Sequence, residues 1–378
     1  MSKLSAVRAR AVSIPVEKPT RMSTRILDRR DFVIVEVEEE EGRSGVGYSY
    51  AGTTGGPLLA RAVTELLTPS ALGEEAENIL GLYERLYQET LLTGRRGIVL
   101  RAIAALDIAL WDLAGKRAGL PLAVLLGGRT GAVACYASGG YYRDEGASPE
   151  EAVRAEIAHN EQLGFADHKI KVGGLSVEAD ARRVAAALEP IRPGGRLALD
   201  ANNAYPNAHE ALRAIRAFER AAGERGLWWM EEPLSPDDIA GHAELARTVE
   251  TPIATGEIAQ TRHEFRALIE AGAADILQPD AGVLGGVSEW IRIARTAETF
   301  RLPVAPHWHA NLHVHLAAAA PNSLGVEYFE LAKDIYNFER LVTPETRLET
   351  VDGKVLCPDR PGLGIDFDPE ALERFTAA

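Results

Sequence analysis

Over residues 1–50, apolar and polar positions alternate with a period of two. AVRARAVSIPV, DFVIVEVEEEEG and SGVGYSY read as strands, the second a β-branched run with its acids turned outward. The period then lengthens. PLLARAVTELLTP, EEAENILGLYERLYQETL and a long segment from about residue 96 to 117 read as helices. Strands followed by helices, without alternation, predict an α+β domain over residues 1–127, ending near LLGGRTG.

From residue 128 the two periods alternate. CYASGGYY, DHKIKVGG, RLALDAN, GLWWMEEP, TPIATGE, ADILQPD, LPVAPHW and GVEYFE read as strands. Helical segments separate them, the first with Ser148 as N-cap and Gly164 as stop. Eight strands with seven clear helices between them predict a parallel sheet, best closed into an α/β barrel over residues 128–360. Residues 361–378 are expected to pack back on the first domain.

Composition narrows the function. The 378 residues are 46% hydrophobic, ample for a large core. A net charge of −14 argues against a general nucleic-acid or membrane-surface binder. Cys135 and Cys357 form no CxxC or Cys/His metal pattern, which excludes a disulfide scaffold and fits a reducing cytoplasm. No apolar signal-peptide core stands at the N-terminus. The long helix is broken by Arg101, Asp107, Asp112 and Lys116, so it reads as an amphipathic core helix and not as a membrane span.

The barrel strands end in ionisable residues, and active groups of such barrels lie at those ends. Asp200, Glu231 and Glu257 close three successive strands, separated by 31 and 26 residues, the length of a βα unit. Singly, each is a good helix cap. Together they form a hard-oxygen pocket suited to a divalent cation, Mg²⁺ above others. Lys169 and Lys171 share one face of the preceding strand, where each should depress the other's pKa and leave one a base. Asp280 and His307 end neighbouring strands as a dyad in which Asp fixes the imidazole tautomer. His313 and His315 read as packing or surface residues, and His309 as a weaker candidate. Glu327, with Glu330 as its competitor, is placed to hydrogen-bond a carboxylate if protonated.

These residues resemble the enolase superfamily, specifically its mandelate racemase subgroup, over essentially the whole chain. The KxK pair, the three acids, the His/Asp dyad and the helix IAALDIALWDLAGKRAGLPLAVLLGG all match. The resemblance implies a (β/α)7β TIM-like barrel with an N-terminal α+β capping domain, and Mg²⁺ on Asp200, Glu231 and Glu257. It implies Lys171 and His307 as opposed bases, Lys169 steadying the substrate carboxylate, Asp280 supporting His307, and Glu327 as a final acid. Glu232 is expected behind the metal ligands and Asn202 beside them. Cap loops, assigned to 18–31 and 48–57, are expected to close over the substrate. Arg21, Arg25, Ser138, Tyr141 and Tyr142 are candidate substrate contacts.

The implied activity is Mg²⁺-dependent abstraction of the proton α to a carboxylate, through a metal-stabilised enediolate. Dehydration of an acid sugar to a 2-keto-3-deoxy acid is the expected ending. Racemisation or epimerisation of a 2-hydroxy acid by the same residues is the alternative. A cycloisomerase is disfavoured because that relative's pattern has Lys where this chain has His307. A non-catalytic metal-binding barrel is the remote reading. The expected partners are a small carboxylate and further copies of the chain, with no nucleic acid and no membrane.

Overall fold

A computed structural model describes residues 2–143 and 146–377. Strands β1 (Leu4–Arg21), β2 (Ile26–Glu39) and β3 (Ser44–Tyr50) form an antiparallel sheet in that order. Val33, Val35 and Val37 face a core shared with the long central helix, Ile98–Ala118. The helix can lie this close because β3 carries Gly45 and Gly47. A Cβ at Gly47 would strike the Ala105 carbonyl, and one at Gly45 the Ala109 carbonyl.

The stretch 18–31 is not a free loop. β1 continues to Arg21 and β2 starts at Ile26, with Thr20 opposite Leu27 and Arg21 opposite Ile26. The ladder persists because Thr20 and Leu27 are both buried. Only residues 22–25 turn, with Met22 N–H donating to Arg25 O at 3.0 Å. Likewise β3 reaches Tyr50 and a helix starts at Gly56, which leaves 51–55 as loop.

The central helix departs from an amphipathic pattern. It is buried nearly all round, and Asp107 and Asp112 are buried with it. Each acid satisfies main-chain donors of another segment. Asp107 accepts from Ser288 N (2.9 Å) and Ser288 Oγ (2.5 Å) at the start of the helix Val287–Thr299. Asp112 accepts from Val46 N at 2.8 Å and Leu363 N at 2.7 Å, and pairs with Lys116 at 2.7 Å. The C-terminal segment thus meets the cap here, and again where Ala377 N–H donates to Ala11 O at 2.9 Å.

The barrel strands are β4 (Gly131–Gly139), β5 (Asp167–Lys171), β6 (Arg196–Asp200), β7 (Met230–Glu231), β8 (Ile253–Thr255) and β9 (Ile276–Leu277), parallel neighbours in sequence order. β10 (Val326–Tyr328) pairs with β4 and closes the ring. The segment LPVAPHW is reduced to bridges at Val304, which joins Leu277 on one side and Ser323 on the other. Pro303 and Pro306 flank it and lack the N–H groups a longer ladder needs. Tyr136, Ala198, Trp229, Ala254, Ile276 and Ala305 form a cluster inside the ring. β11 (Thr350–Val351) and β12 (Lys354–Cys357) add an antiparallel pair outside β4. Among the described residues, no helix is long and apolar enough to cross a membrane.

Replacing Asp112 tests how the cap, helix and C-terminal segment are tied. Asp112→Ala leaves the N–H groups of Val46 and Leu363 without partners. The expected loss is ~2–6 kcal/mol, at ~1–3 kcal/mol per orphaned buried group. Urea unfolding monitored on the cap should detect it, and unchanged stability would contradict the role given to this carboxylate.

Candidate active site

Parallel register assembles the floor of the site. Lys171 lies opposite Asp200, and Asp200 opposite Glu231, so three functional side chains form one row across β5, β6 and β7. Glu257 follows β8. Ligand oxygens of Asp200, Glu231 and Glu257 all lie within 4.8 Å of one another. After the site residues the chain turns sharply. Asn202, Glu232 and Trp308 hold positive φ of 44°, 38° and 67°. This is tolerable for Asn but strained for Glu and Trp, and such strain concentrates at functional sites.

Both lysines rest on these acids. Lys169 Nζ is 2.6 Å from Glu231, 2.7 Å from Glu327 and 3.6 Å from Asp200. Lys171 Nζ donates to Asp200. Burial lowers the pKa of Lys171 most and Lys169 adds to that, as expected, but Asp200, with Tyr141 and Glu327, more than offsets both, so the net shift is upward, not downward. Glu327 is likewise not a protonated donor. Burial opposes its charge, yet Lys169 and His307 hold its pKa down at about 2. It accepts from Trp308 N–H at 2.9 Å. Glu330 lies outside the site, against His159 at 3.1 Å.

Glu231 also accepts from Trp229 Nε1 at 3.0 Å and Gln278 Nε2 at 2.6 Å. Sequence reasoning missed both, although each stands two residues before a site acid and so shares its face of the strand. Glu232 sits behind the cluster, taking a 2.6 Å hydrogen bond from Asn203.

His307 Nδ1 lies 2.9 Å from Asp280 Oδ2, and its Nε2 lies 3.5 Å from Glu257 Oε2. Burial lowers the imidazole pKa, but Glu257 and the Asp280 hydrogen bond raise it further, to about 9. His309, His313 and His315 are fully buried. His313 Nε2 accepts from Ala281 N–H at 3.0 Å, and His315 Nε2 meets Leu363 O at 3.0 Å, so both serve packing. His309 lies 3.8 Å from Asp280 and does not reach the cavity wall.

A cavity of about 620 Å³ lies between this floor and the cap. Lys171, Glu257, Asp280, His307 and Glu327 line its barrel side. Residues of the β1–β2 turn, the 51–55 loop and the start of the central helix line the other. Tyr141 and Arg25 are on the wall; Arg21, Ser138, Asn202 and Tyr142 are not. Arg21 instead donates to Gly174 O at 3.1 Å and stacks over Tyr142, which holds it outside. Ser138 is buried within β4 opposite Lys169. Asn202 uses its main-chain N–H to cap Asp200 Oδ1 at 2.9 Å. Arg30 and Arg101 are on the wall. Neither was singled out from sequence as a contact, because one was lost in a basic run and the other in a helix.

The turn is latched to the barrel. Ser23 Oγ donates to Val172 O, Thr24 Oγ1 to Asn202 O at 3.3 Å, and Arg21 exchanges main-chain hydrogen bonds with Tyr142.

The donor set fits a hard divalent cation. Asp200, Glu231, Glu257 and Glu327 meet Lys169, Lys171 and, 3.5 Å from Glu257, His307, which is itself held by Asp280, so carboxylates outnumber cations on this floor. Glu257 Oε2 is buried and accepts no hydrogen bond. Burial and neighbouring carboxylates push Glu231 up to about 8. Burial pushes Glu257 up to about 7, with His307 opposing and Glu232 and Asp200 adding to the rise.

Fold and site define a capped α/β barrel built to hold a divalent cation at its mouth. The chain belongs to the mandelate racemase/muconate lactonizing enzyme family of the enolase superfamily. Residues 5–127 match the mandelate racemase/muconate lactonizing enzyme N-terminal domain, and 152–371 the enolase C-terminal domain-like family. L-talarate/galactarate dehydratase of Salmonella typhimurium is 36% identical over 341 residues, covering 90% of this chain and 81% of that protein. Arabinonate dehydratase of Saccharolobus solfataricus is 36% identical over 352 residues, covering 91% and 90%. A racemase from Streptomyces coelicolor, crystallised with bound magnesium, superposes with a TM-score of 0.90 at 31% identity, covering 99% of this chain and 100% of that one.

The raised carboxylates give a pH-dependent metal response. An acid whose folded pKa exceeds its unfolded value loses stability as pH rises between the two. For Glu231 that window runs from 4.5 to about 8. His307 acts in the same direction, its contribution present below 6.5 and lost as pH rises through about 9. The metal-free protein therefore weakens with rising pH, and Mg²⁺ displaces protons as it binds. At about 100 times its Kd, Mg²⁺ should add ~2.7 kcal/mol. The gain in melting temperature should be larger near pH ~8.5 than near ~5.5; the reverse order would contradict these assignments.

Proposed function

We propose that the protein removes the proton α to the carboxylate of an acid sugar and completes a dehydration to a 2-keto-3-deoxy acid. The observation that carries this is the order of groups across the cavity floor. Lys171 lies against Asp200 at one end of the carboxylate cluster, and His307 lies against Glu257 at the other. A divalent cation held by Asp200, Glu231 and Glu257 would neutralise the substrate carboxylate and acidify the adjacent C–H. Lys171 would take that proton as its neutral amine, a form favoured once the Asp200 charge that now holds the ammonium is drawn off to the cation. Lys169, held between Glu231 and Glu327, supplies a fixed positive charge beside the developing negative charge. His307, oriented through Nδ1 by Asp280, presents Nε2 to the cavity and gives its proton to the leaving β-hydroxyl.

The dehydratases among the relatives support this ending. Racemase and cycloisomerase names occur there too, and return of a proton from the opposite base would give an epimer from the same residues. An even-numbered homo-oligomer, as the resemblance implies, and a cytoplasmic location complete the reading, the latter in keeping with two unpaired buried cysteines.

Two variants separate the steps. Lys171→Ala should lower kcat by ~10²–10⁴-fold while keeping the Mg²⁺ response. His307→Asn should abolish keto-acid formation yet retain α-proton exchange in D₂O. The test is a library of acid sugars assayed with Mg²⁺ for 2-keto acid and for exchange. Exchange without keto acid in the wild type would favour epimerisation, and full activity in Lys171→Ala would overturn the mechanism.

A further inference from the structure

The two halves of the cavity wall carry opposite chemistry. The barrel half holds the acids, the lysine and the histidine described above. On the cap half, the charged residues are Arg25, Arg30 and Arg101, and none is acidic. In a chain of net charge −14 this is a local reversal.

The three arginines differ in how they are occupied. Arg30 is committed to the fold. Its Nε donates to Ile335 O at 2.5 Å, its Nη1 to the Tyr50 hydroxyl at 3.1 Å, and its plane lies over the Trp308 ring at 4.3 Å. Arg101 makes one hydrogen bond, from Nη1 to Tyr50 O at 2.7 Å, and no ion pair among the described residues. The Arg25 side chain makes neither a hydrogen bond nor an ion pair among the described residues. A guanidinium offers five donors in a rigid fork, so most of those of Arg101 remain available to a ligand.

The position of Arg101 is independently informative. It is the fourth residue of the central helix, whose N-cap Gly97 provides no side-chain cap and whose first turn has no acid. A helix N-terminus carries positive partial charge and favours an anion, so an arginine there is electrostatically misplaced. Gly97, Ile98 and Arg101 all face the cavity. An anion bound between them would relieve the arginine and the uncapped terminus together.

We propose that Arg101 and Arg25, with the helix terminus at Ile98, receive a second carboxylate at the far end of the substrate. The protein then acts on acyclic sugar diacids in preference to monoacids of the same length. This rests on the proposed reaction, in which the first carboxylate goes to the floor. A monoacid would place a neutral hydroxyl against these arginines and forgo the charge-assisted pairing. Thr53 and Thr54, on the same wall, offer hydroxyls to the middle of the chain.

The test uses the Mg²⁺-loaded protein on matched pairs, galactarate against galactonate and glucarate against gluconate. The expected wild-type preference in kcat/KM for the diacid is roughly 30-fold or more, as for a charge pair lost. Arg101→Met and Arg25→Met should each erase most of that ratio, and Arg101→Lys should restore part of it. Arg25 stands on the exposed turn, so its variant reads out binding even if Arg101→Met folds poorly. Equal or better use of monoacids, or a ratio unmoved in both methionine variants, overturns the proposal. Stronger use of a 6-phosphorylated monoacid overturns the assignment of the distal group as carboxylate. Where the diacid preference fails, α-proton exchange in D₂O with any member keeps the proposed reaction standing. If no member reacts, calorimetry on Lys171→Ala decides: tighter diacid binding that Arg101→Met abolishes supports the proposal, and its absence overturns it.

Discussion

The burial of carboxylates is the constraint around which this molecule is organised. Asp200, Glu231 and Glu327 are nearly inaccessible to water, and Glu257 keeps only 11% of its side chain exposed. Unpaired charges cannot persist at such depth, so each carboxylate is tied to a cation or a donor. Lys169 spans three of them from one strand, and Trp229 and Gln278 satisfy Glu231 from within the ring. The excess of carboxylates over cations suits a divalent ion. A barrel slipped by one residue would turn Lys171, Asp200 and Glu231 away from one another, so register and charge balance are the same requirement.

That requirement also explains why the barrel strands are short. β7 and β9 have two residues each, and Pro233 and Pro279 stand just beyond their ends. The strands stop where side chains must converge, and the backbone turns away in strained conformations at Asn202, Glu232 and Trp308. The cap then supplies what the barrel mouth lacks, a wall of different sign.

Much of this was legible in the sequence because it follows short-range rules. Alternating periods gave the cap strands and the βα repeat, and the strand ends pointed to Asp200, Glu231, Glu257, Lys169, Lys171, Asp280 and His307. What escaped depends on distance in space. Arg101 looks like an interruption in a helix, and only its packing beside Tyr50 turns it toward the cavity. Arg21 and Arg25 look equivalent in one basic run, yet the pleat and the turn send them to different places. The pKa of Lys171 answers less to its neighbour in sequence, Lys169, than to burial and to its neighbour across the sheet, Asp200. Proline spacing around Val304 was visible, but its effect on the ladder depends on which N–H groups face a partner strand.

The latch between cap and barrel has a consequence for descent. Every hydrogen bond from turn residues 21–24 to the barrel, among the described residues, ends on main-chain atoms: Val172 O, Asn202 O, Gly174 O and the backbone of Tyr142. Main-chain atoms are present whatever side chain is encoded. Arg25, whose side chain takes no part in the latch, can therefore change without a matching change below, and barrel side chains can drift without unseating the turn. Selection can alter the groups that face the far end of the cavity while leaving the lysines, histidine and carboxylates of the floor untouched.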